Sequence, residues 1–397
     1  MTGIRFLRTS TDPTTISMST RTAHPGSRRR RCGTLAVLLA LAAGGCGGPA
    51  APAAVPDEAG TPLSTGGTPT GLAVHDDDLL VVHDDGSIVR VTSDGQVAPF
   101  TDRPDQLTSS LVAFGSLWTA RTGTGDTADP EHLESDEAWV SFRLDGIVRI
   151  DLDDGATQAT FDDLGADLLL AATDDAVWLA GEHAGEQGWV WRIDPDTDRA
   201  TVIQAGDGVR GDLAVRTSVL LAVDDDLWLV GNCDAMPCPA GAERVHVLDP
   251  SSGEVASLDV ALPDDLLLSS AVALDGQVWF AGFPIEGTGH QPEGLLVAVE
   301  ATSGELVHRI EVGRLPTGLT ATSAGLWMTD CLGGTLTRVN PADGVVLEPP
   351  IVVVDAYPDD DVFDWYRNDY ACPGTVVHTG DTIWVALVHE GTLVPVR

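Results

Sequence analysis

Four histidines, His132, His183, His290 and His389, stand close to carboxylates: Glu131 and Glu134, Glu182 and Glu186, Glu293, and Glu390. An imidazole beside a carboxylate can exchange a proton near neutral pH, and several brought together can hold a divalent cation. A second set, Asp364-Trp365-Tyr366-Arg367 with Asp369 and Tyr370, has a different character. Trp, Tyr and Arg join large contact area to directional polar groups, the composition of binding hot spots. Catalytic motifs are missing. There is no G-x-S-x-G and no H-E-x-x-H, and His389-Glu390 is followed by Gly-Thr-Leu, without a second histidine one helical turn on. The run from Asp194 begins like a calcium loop, but Arg199 takes the place of the glycine and Ala205 that of the bidentate glutamate, so it reads as a β-turn. The chain has no lysine, which excludes Schiff-base chemistry, Walker A phosphate binding and an S-x-x-K nucleophile.

Whether these residues meet depends on the elements that carry them, and those elements repeat. Residues 318–346 read as an alternating strand, a two-residue turn, a strand with Trp327, a loop, a strand ending Arg338-Val339-Asn340-Pro341, a turn at Ala342-Asp343-Gly344 and a last apolar strand. The frame recurs with its marker at Leu80, Trp118, Trp178, Trp228, Trp279, Trp327 and Trp384. Seven units of four short antiparallel strands predict an all-β fold, a seven-bladed β-propeller, with six or eight blades as the neighbouring counts. The last unit shows three strands before Arg397, so the segment just ahead of Gly71 is expected to supply the fourth and close the ring. The markers read as core: a buried Trp removes about 150–250 Å² from water, a gross gain of roughly 4–6 kcal/mol. Trp139, Trp189, Trp191 and Trp365 fall outside the marker position and are free for other work.

In such a blade, the loop from second to third strand and the connection to the next blade open on one face. The turns before each marker and after each third strand are short. The long insertions, residues 121–140, 181–188, 231–243, 282–293 and 352–374, all fall in the other class and should crowd one face, carrying the four histidines, Glu390 and the Asp364–Tyr370 set with them. Loops of this length in a compact domain are commonly functional. Four cysteines lie in the propeller region, and outside the cytoplasm an even number suggests disulfides. Of three pairings, Cys233 with Cys238 and Cys331 with Cys372 is favoured; a zinc site on the C-x₄-C pair lacks histidines at finger spacing.

The turn Asp249-Pro250-Ser251-Ser252-Gly253-Glu254-Val255 and its variants, with Val-Trp in the strand before, resemble the secreted propellers of the YVTN, PQQ-like and virginiamycin-B-lyase-like families over residues 71–397. The resemblance implies a binding or scaffold module or, as the alternative, a lyase-type enzyme with a metal and histidine at the channel mouth. No stretch matches that lyase motif, so no catalytic residue is carried over. A quinone-cofactor dehydrogenase would need an adjacent-cysteine pair and cationic residues that are lacking here. No cofactor is implied beyond a divalent cation at the loop histidines.

Arg28 to Arg31 precede an apolar run from Thr34 to Ala43, too short to span a bilayer as a helix. The run ends in Ala-Ala-Gly-Gly-Cys, which resembles the lipobox of bacterial lipoproteins. On this reading residues 1–45 are a signal peptide, with Met18 as an alternative start, and Cys46 is the lipidated residue. Residues 46–69 form a Gly/Pro/Ala/Thr-rich tether and 70–397 the propeller. Simple secretion with cleavage at an A-x-A-like site is the competing reading. The expected location is extracytoplasmic, lipid-anchored to the outer face of the bacterial cytoplasmic membrane. Seven of the 22 arginines and one of the 60 acids precede Cys46, leaving 15 against 59 and a net charge of −44. That surface repels nucleic acid and anionic lipid, so the acyl anchor must supply the membrane contact. The expected partner is a protein or glycan on the insertion-rich face, bound by a monomer.

Overall fold

A computed structural model describes residues 58–103, 106–122, 144–162, 164–183, 186–204, 215–233, 244–284, 293–357, 371–388 and 390–397. These residues form seven antiparallel sheets of four strands, the seven-bladed propeller predicted from the repeat. Blades 1 to 6 span 69–101, 106–162, 166–204, 215–258, 266–311 and 316–352, each with strands in chain order from the channel outward. Blade 7 takes three strands from 372–396. Its fourth is Leu63–Ser64, with Leu63 opposite Leu393 and Ser64 opposite Thr392. The pairing extends to Glu58: Gly60 N donates to Pro395 O at 2.6 Å, and Glu58 and Arg397 exchange backbone hydrogen bonds. Residues 58–69, counted with the tether by composition, thus contain the closing strand expected ahead of Gly71.

Alternation of apolar side chains along each strand decides the packing, because successive residues face opposite neighbouring blades. In blade 1, Leu79 packs toward blade 7 and Leu80 toward blade 2. Each of the seven seams has its own apolar cluster. Trp118 packs on blade 3, Trp178 on blade 4, Trp228 on blade 5, Trp279 on blade 6, Trp327 on blade 7 and Trp384 on blade 1. All six are at most 2% exposed. The core is therefore seven seams around a channel. Trp191 proves to be core too: it is buried in the seam between blades 2 and 3 and stacks on Trp189 at 5.8 Å.

The innermost strands share a further feature that composition alone does not reveal. Every one has a register shift near its start, between Pro69 and Gly71, Leu107 and Ser110, Ala166 and Leu169, Thr217 and Val219, Leu268 and Ser270, Pro316 and Gly318, and Pro373 and Val376. A bulge turns side chains out of the ladder. The hydroxyls at these places reach across the seams: Thr70 donates to Leu107 O at 2.9 Å, Ser109 to Leu168 O at 3.2 Å, and Thr317 to Pro373 O at 2.6 Å.

Candidate functional site

The order of strands divides the disc into two unlike faces. On one lie the turns joining first to second and third to fourth strands, all short. Their leading residues adopt positive φ at Asp76 (52°), Phe114 (52°), Asp224 (51°) and Asp275 (51°). Asp tolerates that region and suits tight hairpins; Phe does so rarely. Third-strand arginines cover the markers here: Arg149 stacks over Trp118 at 5.1 Å and Arg338 over Trp327 at 5.6 Å. Arg149 also reaches Pro195 O and Asp198 Oδ1 of the next blade, both at 2.6 Å. The indole N–H groups of Trp178, Trp327 and Trp384 donate to Thr173, Thr322 and Thr379, each five residues upstream, at 3.0, 3.2 and 2.9 Å. Carboxylates fill the remaining turn positions, and local hydrogen bonds acidify many of them. Ser251 and Ser252 hold Asp249 down at about 2, while Thr92, Arg192 and Thr197 lower Asp94, Asp175 and Asp194; on the opposite face Ser87 lowers Asp85 in the same way. Asp226 is raised, by burial first and then by Asp249, Asp225 and Asp224. An open cleft of about 420 Å³ lies on this face among the turns of blades 5 and 6, with His378 at its edge.

The opposite face receives every connection from second to third strand and from blade to blade. Here the hydroxyl contacts between first strands repeat from seam to seam, but the polar groups that grip the described ends of the connections differ. Asp330, 3% exposed at the end of the blade 6 marker strand, accepts from the backbone N–H groups of Arg314, Leu315 and Gly333 at 3.1, 3.0 and 3.0 Å. Gly313 and Gly333 press on that carboxylate, where a Cβ would come within 2.5 and 2.1 Å of it. Arg244, 6% exposed, donates to the carbonyls of Gly231, Pro263 and Leu266 and to Asn232 Oδ1. Asn232 continues into blade 5 through Leu268, giving to its carbonyl at 3.1 Å and taking from its N–H at 2.9 Å. His83, wholly buried, joins Ser87 to Thr65. Arg121 pairs with Asp162 on blade 2.

The Cys331–Cys372 disulfide predicted from the cysteine spacing is present, with Cα atoms 4.7 Å apart. It links the end of the blade 6 marker strand to the first strand of blade 7, and both cysteines are buried against Leu315 and Leu332, with Phe283 and Tyr357 alongside. Cys233 ends the second strand of blade 4, Asp226–Cys233, whereas Cys238 lies outside the described residues. His183 ends the second strand of blade 3, Val177–His183, opposite Glu186. Glu390 is exposed in the last turn of blade 7, one residue before Gly391. Cys46, His132, His290, Asp364, Trp365, Tyr366, Arg367, Tyr370 and His389 lie outside the described residues, as do Trp139 and Asp369. The strands that carry His183 and Cys233, the turn with Glu390 and the disulfide all meet the insertion face, where the second-to-third and blade-to-blade connections lie.

Among the described residues, no group of three His, Cys, Asp or Glu side chains is placed to share a metal ion. The strongest polar groups of this face are turned inward and occupied. Asp330 is saturated by backbone N–H groups and Arg244 by carbonyls, so neither is placed to move a proton. What the described part of the face can do is fix where each connection leaves and returns. The sequence contained a signal for two of these grips that spacing analysis missed: His83 and Asp330 both stand three residues after a marker, Leu80 and Trp327.

No family model matches the chain, and no curated protein matches it in sequence. Solved structures share the fold. A chain of a mitotic checkpoint complex is similar with a TM-score of 0.58 at 12% identity, over 91% of this chain and 98% of that one. Hydrazine synthase of Kuenenia stuttgartiensis is similar with a TM-score of 0.57 at 12% identity, over 88% and 99%. The WD40 β-propeller domain of Doa1 gives 0.54 at 11% identity, over 84% and 94%. At such identities the likeness establishes the propeller architecture.

Proposed function

We propose that the protein is a lipid-anchored, extracytoplasmic propeller of the secreted YVTN/PQQ-like kind that binds a protein or glycan through its insertion face and acts as a scaffold. The observation that carries this reading is the sorting of the chain: every long segment between described strands leaves and returns on one face, held there by grips that differ from blade to blade. The other face has only short turns. The similar chain within a mitotic checkpoint complex gives a propeller that works inside a protein assembly, in support of a protein partner. The anchor rests on Cys46 and the small residues before it. Residue 58 pairs with Arg397 at the short-turn end of blade 7.

Two measurements test this. The intact mass of protein extracted by detergent from its native host should correspond to a chain beginning at Cys46 plus acyl chains. An unmodified chain with another start would refute the anchor, and one metal per chain in the same sample would shift the reading to the lyase-type enzyme. A photo-cross-linker in place of Tyr366 should give partner adducts in native membranes, while one in place of Asp225 should not. Equal adducts from both positions would refute the assignment of the face.

A further inference from the structure

The open cleft of the short-turn face lies where blade 5 departs from its neighbours. In blades 2, 3 and 6 an arginine on the third strand stands opposite the marker: Arg149 opposite Trp118, Arg192 opposite Trp178 and Arg338 opposite Trp327. Each turns back onto the first hairpin of its own blade, Arg149 to Ser116 Oγ at 2.9 Å, Arg192 to Asp175 Oδ2 at 3.0 Å and Arg338 to Ala324 O at 2.9 Å. In blade 5 the residue opposite Trp279 is Ala298, and His308 of the fourth strand stacks on the indole at 5.4 Å. The first hairpin of blade 5 therefore lacks the guanidinium that such an arginine supplies. Among the described residues the Asp275 carboxylate in that hairpin has no hydrogen-bond or ion-pair partner.

A second departure shapes the cleft. The residue five before the marker takes the indole N–H in blades 2, 3, 6 and 7, but in blade 5 it is Leu274. Leu274 lines the cleft, and Trp279 keeps a buried N–H without a partner. A hydrogen bond made in four other seams has given way to an apolar wall, the kind of local exception that marks functional sites. The cleft, of about 420 Å³, has the size of a small-molecule site. Leu274, Ala321 and Pro341 line it half-buried, whereas Asp275, Ser323 and His378 are exposed at its rim. Asn340 also lines it, its Oδ1 accepting from Ala342 N–H at 3.2 Å. Among the described residues no arginine lines the cleft, and the chain carries a net charge of −38, so anions are repelled. A metal ion does not fit one carboxylate set among alkyl groups, and among the described residues no three ligating side chains converge. A short alkyl chain ending in an ammonium fits both parts: three N–H donors for Asp275 and Ser323, and methylenes for Leu274, Ala321 and Pro341.

We propose that this cleft binds a primary alkylammonium group, which supplies beside Asp275 the charge that Arg192 supplies beside Asp175 in blade 3. The site lies on the face opposite the recognition surface and does not depend on that reading. The group comes from outside, since the chain has no lysine: from a free diamine or from the lysine side chain of another polypeptide.

NMR titration of the full chain at about 0.15 M salt, where loose surface attraction is screened, tests this with two probes, cadaverine and Nα-acetyl-lysine methylamide. Saturable shifts are expected at the amides of Ser323 and Gly325 and at the His378 ring, while Gly155, on the same face in blade 2, stays unmoved. Binding of cadaverine alone assigns the site to free diamines, and binding of both probes extends it to lysine side chains. Asp275→Asn keeps a residue type that tolerates the φ of 52° or so found at these turns, and should weaken binding by about tenfold. Asn340→Asp keeps the oxygen that Ala342 uses and adds a second carboxylate, and should tighten binding by about threefold. No saturable shift with either probe, equal shifts at Gly155, or unchanged affinity in Asp275→Asn would overturn the proposal. Should Asp275→Asn fail to fold, Asn340→Asp decides: tighter binding supports the site, and unchanged or weaker binding refutes it.

Discussion

The short-turn face and the insertion face of the disc are held by opposite strategies. On the first, one solution recurs: a marker Trp in the seam, its indole N–H on a threonine or carbonyl five residues back, and in two blades an arginine across its ring. On the second, the bulge hydroxyls recur from seam to seam, but the groups that grip the connections differ. Asp330 collects three backbone N–H groups, Arg244 collects carbonyls, His83 bridges hydroxyls, and a disulfide secures the step from blade 6 to blade 7. Repetition marks what every seam needs in order to exist. Individual grips mark connections of differing length, each needing its own point of attachment, and that freedom is what a recognition surface requires.

The comparison is most easily broken at the markers. Trp178→Ala or Trp327→Ala should cost about 3–5 kcal/mol in denaturant unfolding, since each empties a seam. Trp365→Ala, in the segment between residues 357 and 371, should leave the midpoint unchanged; an equal loss there would erase the distinction. Replacing Cys331 and Cys372 together by serine should cost about 2–4 kcal/mol, read as a lower thermal midpoint. Asp330→Ala strands three backbone N–H donors, that of Leu315 buried and those of Arg314 and Gly333 half-buried, and should cost about 2–3 kcal/mol by the same assay. A pH series sharpens the account of the turns. Asp85, Asp175, Asp194 and Asp249 have lowered pKa values, so their contributions are complete above about 4 and vanish as the pH falls through the folded values, to about 2 for Asp249. Asp249→Asn should therefore flatten the acid-induced loss of stability between about pH 4 and 2. The smallest effect tests the repeat itself. Trp279 has a buried indole N–H without a hydrogen-bond partner, and Leu274 stands where other blades have threonine. Leu274→Thr should gain up to about 1 kcal/mol in urea unfolding.

The repeating half of the molecule was legible in the sequence because each seam needs a large apolar side chain at a fixed distance from a tight turn. Leu80 and the six marker tryptophans, the closing strand ahead of Gly71 and the Cys331–Cys372 bridge all follow from that spacing. Trp191 was misplaced as free, because alternation puts residues two apart on the same seam and its strand carries two tryptophans. The individual grips were not legible. Asp330 accepts from residues 15 and 16 positions upstream, at the mouth of its own hairpin, and His83 meets Thr65 only because the ring closes; neither contact is marked by the spacing of apolar residues. The hydroxyl bulges escaped for the same reason, since a serine in a strand looks alike whether it faces solvent or the next blade.

The central claim is that the ring stands without its insertions. Thr122 and Leu144 face each other across neighbouring strands of blade 2, so a two-residue Asn-Gly turn can replace residues 123–143. The thermal midpoint of that variant is the direct test. The account predicts a midpoint within about 2 °C of the wild type, a change on the order of 1 kcal/mol for a domain of this size. A collapse comparable to that of Trp327→Ala would contradict it, and would make the insertions part of the structural core.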